Sequence, residues 1–214
     1  MDKQEEFSSS ATKKLLQLSG PKARTLEDFS LHSHDLTASL QLLEALNNKA
    51  LSSEVRKGLW YHAITLFYKC FKHSDARRRL WPQIVFAKRP DLMPAYNFFL
   101  NLRDRHIVHD DNPYIKAYAG VIVSKNNGSY TVEEIVSHVA IFDILDENKW
   151  RTFYALAKHA AAWAEQEKQR LKNLLQIECE KKTPEEIDSL QALAITIPTI
   201  NQVSTKKEYE KQSF

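Results

Sequence analysis

Residues Val55, Leu59, Tyr61, Ile64, Leu66, Phe67, Cys70 and Phe71 recur at spacings that wrap an α-helix on more than one side. A helix apolar over most of its circumference cannot lie at a surface, so this segment predicts the central helix of a helical core. Ser52, Ser53 and Glu54 supply its cap and its acidic first turn. Leu36, Leu40, Leu43 and Leu46, three and four apart, predict a helix from Ser33 to about Asn48 that covers one side of it. Only 4 glycines and 7 prolines occur in 214 residues, which favours long regular helices over tight turns. The expected fold class is all-α.

The rest of the chain extends this frame. Residues 1–24, with Ser8, Ser9, Ser10 and scattered lysines, read as a loosely ordered leader with a short helix around Lys13 to Leu18. A further helix starts near Asp91 or Met93 and stops around His109 to Asn112, where Asp110, Asp111, Asn112 and Pro113 favour termination. Gly120 to Ser124 followed by Asn126, Asn127 and Gly128 resembles a strand entering a hairpin turn, whereas Thr131 and Glu134 form a capping box. The expectation there is a short extended stretch or minor hairpin, then a helix to Leu145. Asp146 caps a long helix to about Lys181, whose charged half from Glu165 to Arg170 projects into solvent or packs on another subunit. Thr183 and Pro184 open one more short helix. Length and pattern together predict one helical domain over 25–194 and a polar tail over 195–214.

Charged residues at 27% and hydrophobic ones at 43% give the balance of a globular protein, neither disordered nor fibrous. A net charge of +3 permits contact with a polyanion without demanding it. Cys70 and Cys179 have no paired spacing, which argues against a disulfide framework or a zinc ribbon and fits a reducing compartment. Met1 to Ser10 is polar, and no run of about 18 apolar residues occurs, so the chain is expected to be soluble and cytoplasmic with no membrane partner.

Function hangs on Leu102 to Asn112. On an ideal helix Arg103, His106 and His109 fall within an arc of roughly 120°, which they share with Tyr96, Phe99 and Leu102, while Asn97, Asn101, Asp104 and Arg105 take the other side. Three chargeable groups beside an apolar stripe need solvation from somewhere. Either the two histidines serve the last carbonyls of a helix, with Arg103 paired to Asp110, or a cleft or interface keeps all three wet.

The run from Leu102 to His109, an arginine followed by a polar residue and then a histidine six positions on, resembles the signature of the HEPN superfamily, whose helical members include many RNases of toxin, abortive-infection and CRISPR-associated systems. The resemblance implies a HEPN-like bundle, a metal-independent RNase, and a homodimer that pairs two motif helices into one composite cleft. It assigns catalysis to Arg103 and His109, with Asp104 in the family's polar place orienting one of them, and it implies no cofactor. A toxin of this kind works with an antitoxin or regulatory partner.

Those assignments agree with the chemistry of the side chains. Histidine gives and takes protons near neutrality, and arginine clamps phosphate oxygens without ever losing its charge. His106, His62 and Tyr61 are candidates for supporting the site from behind, although His62 on the central helix reads more simply as a hydrogen-bonded core histidine. The basic connector of Arg77, Arg78, Arg79, Lys88 and Arg89, interleaved with Trp81 and Phe86, is the candidate RNA-binding segment. A metal bound by His106, His109, Asp110 and Asp111 is disfavoured, because helical zinc motifs space their histidines by four and add a remote ligand. No serine or cysteine elbow accompanies the histidines. The alternative to an enzyme is a non-catalytic HEPN-like module that binds nucleotides or proteins.

Overall fold

Ser52 accepts a hydrogen bond from the Val55 amide at 3.3 Å and so starts helix α2, Ser53–Lys69. In the computed structural model, which describes residues 13–74, 77–109, 111, 113–141, 146–195 and 197–205, α2 buries Trp60, Ala63, Ile64, Phe67 and Tyr68. Phe153 of helix α5, Glu147–Glu180, meets the rings of Trp60, Phe67 and Phe99 at centroid distances of 5.4, 5.2 and 4.8 Å. Each such aromatic pair adds about 0.5–1.5 kcal/mol beyond the area it buries. Phe99 belongs to α4, Met93–Leu102, which follows the short α3, Pro82–Val85, and a 3₁₀ turn at Pro90–Leu92.

Helix α1 runs from Pro21 to Ala45 and begins twelve residues earlier than the leucine spacing indicates. The reason lies on its inner face. Asp28, His32 and Asp35, at i, i+4 and i+7, are buried although polar, so the apolar periodicity starts only at Leu36. Arg77 pairs with Asp35 at 2.5 Å, Arg78 with Asp28 at 3.1 Å, and His32 Nε2 lies 2.8 Å from the Arg78 carbonyl oxygen. One turn on, Ser39 donates to the Ala63 carbonyl at 2.8 Å and ties α1 to α2.

Between α4 and α5 stands an antiparallel hairpin of β1, Ile115–Asn126, and β2, Ser129–Ile141. This is larger than a minor hairpin, and no helix begins at Thr131. Asn127 and Gly128 have φ of 48° and 85°, the left-handed pair that a two-residue type I′ turn requires. Glu133 is the extra residue of a β-bulge: Ile122 pairs with Glu134, while Val123 pairs with Val132. Because pairs in register share a face, Ile115, Val121, Val123, Tyr130, Val132, Ile135, Val139 and Ile141 line one face of the ribbon. That face is uncovered, with Ile135 71% exposed. The structure is thus mostly helical with one two-stranded sheet.

The chain divides into two compact units, Asp28–Lys168, which holds the core and hairpin just described, and Met1–Glu27 with Gln169–Phe214. In the second unit Leu16 is extended, not helical, and bridges Ala192; Gln17 donates to the Gln191 carbonyl at 2.8 Å and Leu193 to that of Leu15 at 3.0 Å. The stretch from Lys13 to Leu18 lacks the short helix expected there, because its backbone pairs with a distant segment. Thr183 and Glu186 form the capping box of α6, Pro184–Asp188. Among the described residues no helix is long and apolar enough to cross a membrane.

Candidate functional site

Helix α4 buries Tyr96, Phe99 and Leu102 and leaves Asn97 and Asn101 exposed, as its stripe requires. After Leu102 the bonding changes. Arg103–Ile107 is a π-helical turn, closed by the Val108 amide donating to the Arg103 carbonyl at 3.0 Å, five residues back. Such turns are rare and recur at functional sites, because the wider ring re-aims the side chains it carries. The Asp111 amide then donates to the Arg105 carbonyl at 2.9 Å. The helix therefore ends at Ile107, short of the expected His109 to Asn112; Asp110 and Asn112 lie outside the described residues.

The π turn separates the three groups that an ideal helix would align. His106 is 4% exposed. Its Nε2 lies 2.8 Å from the Tyr61 hydroxyl oxygen, and its ring meets Tyr61 and Tyr114 edge-on at 5.7 and 5.9 Å. This histidine pins the turn to α2 and to the base of the hairpin. Arg103 is half-buried and donates from Nη1 to Asp104 Oδ1 at 2.6 Å. Lys72 Nζ donates to the other oxygen, Asp104 Oδ2, at 2.7 Å. Burial raises the Asp104 pKa, but the hydrogen bonds and charges of Lys72 and Arg103 outweigh it and hold the carboxyl below its usual range. One carboxylate thus bridges two cations and leaves the trio with net positive charge. The Nε of Arg103 is buried and has no hydrogen-bond partner.

His109 is exposed, and no hydrogen bond, ion pair or ring contact joins it to Arg103 among the described residues. Tyr61 stands behind the site through His106, whereas His62 faces solvent one residue on. The five basic connector residues are not alike. Arg77 is buried against Asp35, and Arg78 spends its Nε on Asp28. Arg79 lies over the Trp81 ring, 3.9 Å from guanidinium carbon to ring centroid. Arg89 is clamped by Asp91, with Nη2 at 2.6 Å, and Lys88 is exposed. Phe86 is buried in the core. Lys72 and the base of the hairpin escaped sequence reasoning: Lys72 follows α2 by three residues, and nothing local links it to Asp104. Among the described residues no group of three or more His, Cys, Asp or Glu side chains could hold a metal ion.

The arrangement offers fixed positive charge beside a carboxylate, and an exposed imidazole just beyond the same short turn. Compared with protein-family models, curated proteins and solved structures, the chain matches none.

Proposed function

We propose that this chain is a HEPN-like, metal-independent endoribonuclease of the toxin or defence type, with Arg103 and His109 contributed to a composite cleft between two copies. The observation that carries the reading is the π turn, which holds Arg103 against Asp104 and leaves His109 exposed just beyond. In this reaction the 2′-hydroxyl attacks phosphorus, and the bond to the 5′-oxygen breaks. The products are a 2′,3′-cyclic phosphate and a 5′-hydroxyl. His109 takes or supplies the proton, and Arg103 stabilises the charge that builds on the phosphoryl oxygens. A single turn supplies too few groups for both ends of the reaction, which is why a second copy belongs to the proposal.

The test is cleavage of a mixed RNA panel in EDTA. Wild type is expected to cut, and Arg103→Ala and His109→Ala are each expected to lose about 10²-fold or more while remaining folded. Cleavage by His109→Ala at the wild-type rate would remove His109 from the mechanism. A non-catalytic interaction module is the second reading, favoured by the bare apolar face of the hairpin; a folded wild type that leaves every RNA intact supports it.

A further inference from the structure

Beside the π turn lies a cleft of about 240 Å³ lined in part by Phe71, Lys72, Arg79, Trp81, Gln83 and Tyr96. Phe71 and Tyr96 are buried and form an apolar floor, while Trp81 is 51% exposed at the rim. The volume is below the roughly 300–1,000 Å³ of drug-sized sites, a scale that suits a single ring system. An open indole, a guanidinium stacked on it and a lysine within one small cleft are the groups that hold a base by its face and a phosphate by its charge. Lys72 belongs both to this cleft and to the Asp104 network. The carboxylate that bridges Lys72 and Arg103 stands where an anionic ligand would make the same two contacts.

We propose that this cleft is a nucleotide subsite, in which a planar base packs on the Trp81 and Arg79 pair while its phosphate takes Lys72 from Asp104. Entry of the ligand then draws Lys72 off the shared carboxylate, leaves Asp104 to orient Arg103 alone, and brings the adjoining phosphodiester toward that guanidinium. Asp104 acts as a built-in competitor that holds Lys72 until a phosphate displaces it. The inference rests on the RNA reading above. The ligand chemistry, a phosphate on a planar heterocycle, has two sources, a free nucleotide or a nucleotide within an RNA chain.

The experiment titrates the full chain with inorganic phosphate, with adenosine 5′-monophosphate and with a 2′-O-methyl octanucleotide that cannot be cut at its 2′ position. Binding is read by calorimetry, folding by circular dichroism, and RNA cleavage is followed on the same samples. Trp81→Ala is expected to weaken the nucleotide and the octanucleotide by roughly 5-fold to 100-fold, the range for loss of one stacked base, and to leave the response to phosphate unchanged. Lys72→Gln is expected to weaken all three, and Asp104→Asn to tighten all three several-fold. An octanucleotide bound at least tenfold tighter than the mononucleotide identifies RNA as the source, and equal affinities identify a free nucleotide. Wild-type affinity in Trp81→Ala or Lys72→Gln overturns the subsite, as does phosphate binding as tightly as the mononucleotide. Cleavage separates the two readings: an uncut RNA with Trp81-dependent nucleotide binding keeps the subsite and removes the RNase, whereas cutting with an unchanged KM in Trp81→Ala does the reverse.

Discussion

His32 is 1% exposed on the inner face of α1. Its Nε2 lies 2.8 Å from the Arg78 carbonyl oxygen, which only accepts, so the proton sits on Nε2 and the ring is neutral with Nδ1 buried and unpartnered. Burial lowers its pKa from 6.5 to about 4, against the opposing effect of the Arg78 hydrogen bond. Between those two values the unfolded chain binds a proton that the folded chain refuses, so stability is full above pH 6.5 and falls as the pH drops toward 4. The loss reaches about 3 kcal/mol. Urea midpoints at pH 7 and pH 5 are expected to differ more in wild type than in His32→Gln, and equal differences would remove His32 from the acid response. The same cluster explains why single residues misled sequence reading. Asp35 and Arg77 are 42 positions apart, so nothing local marks Arg77 as an internal cation and the arginine run reads as one basic patch. Folding spends two of its three guanidinium groups on α1 and leaves Arg79 for the surface.

At the scale of elements, helices with a complete apolar stripe and a cap were legible: α2 begins one residue after Ser52, and α5 begins one residue after Asp146, whose Oδ1 accepts from the Lys149 amide at 2.8 Å. The hairpin was half legible, for a reason of parity. Along β2 the apolar residues Tyr130 and Val132 occupy even positions, whereas Ile135, Val139 and Ile141 occupy odd ones. A strict alternation fails there, and Thr131 with Glu134 imitates a helix cap. The bulge at Glu133 absorbs the change of parity and keeps all five side chains on one face. Deleting Glu133 brings all five to one parity, so it is expected to close the ladder into a regular hairpin that keeps the set on one face and every other pair in register. Cross-strand NOEs between Val123 and Val132 and between Val121 and Ile135 are expected in wild type and in the deletion variant alike, and loss of either contact from the variant would disprove the bulge's role. The π turn had no such signature: its i to i+5 bond accompanies a contact between His106 and Tyr61, 45 positions away, and no residue type marks it.

Across the molecule, burial is distributed unevenly along its longest element, and this sets where the structure opens. Helix α5 buries Phe153, Leu156, Ala157, Ala160 and Ala164 at helical spacing, whereas from Gln169 to Glu180 it buries only Leu171 and Leu175. Phe153 packs on Trp60, Phe67 and Phe99, and the whole first set belongs to the same buried cluster, so its amides open only when the aromatic core does. The last turns expose most of their side chains to water and fray on their own. Phe153→Ala removes a ring shared by three neighbours and is expected to cost about 3–5 kcal/mol. Under conditions where reclosing outpaces chemical exchange, amides from 153 to 164 then exchange roughly 10²-fold to 5 × 10³-fold faster. Amides from 176 to 180 keep their wild-type rates, because their opening never involved Phe153. Hydrogen exchange read by mass spectrometry on peptides from the two halves tests both statements at once. An equal acceleration at both ends would mean that α5 opens as one cooperative piece, and the uneven burial would then have no part in its dynamics.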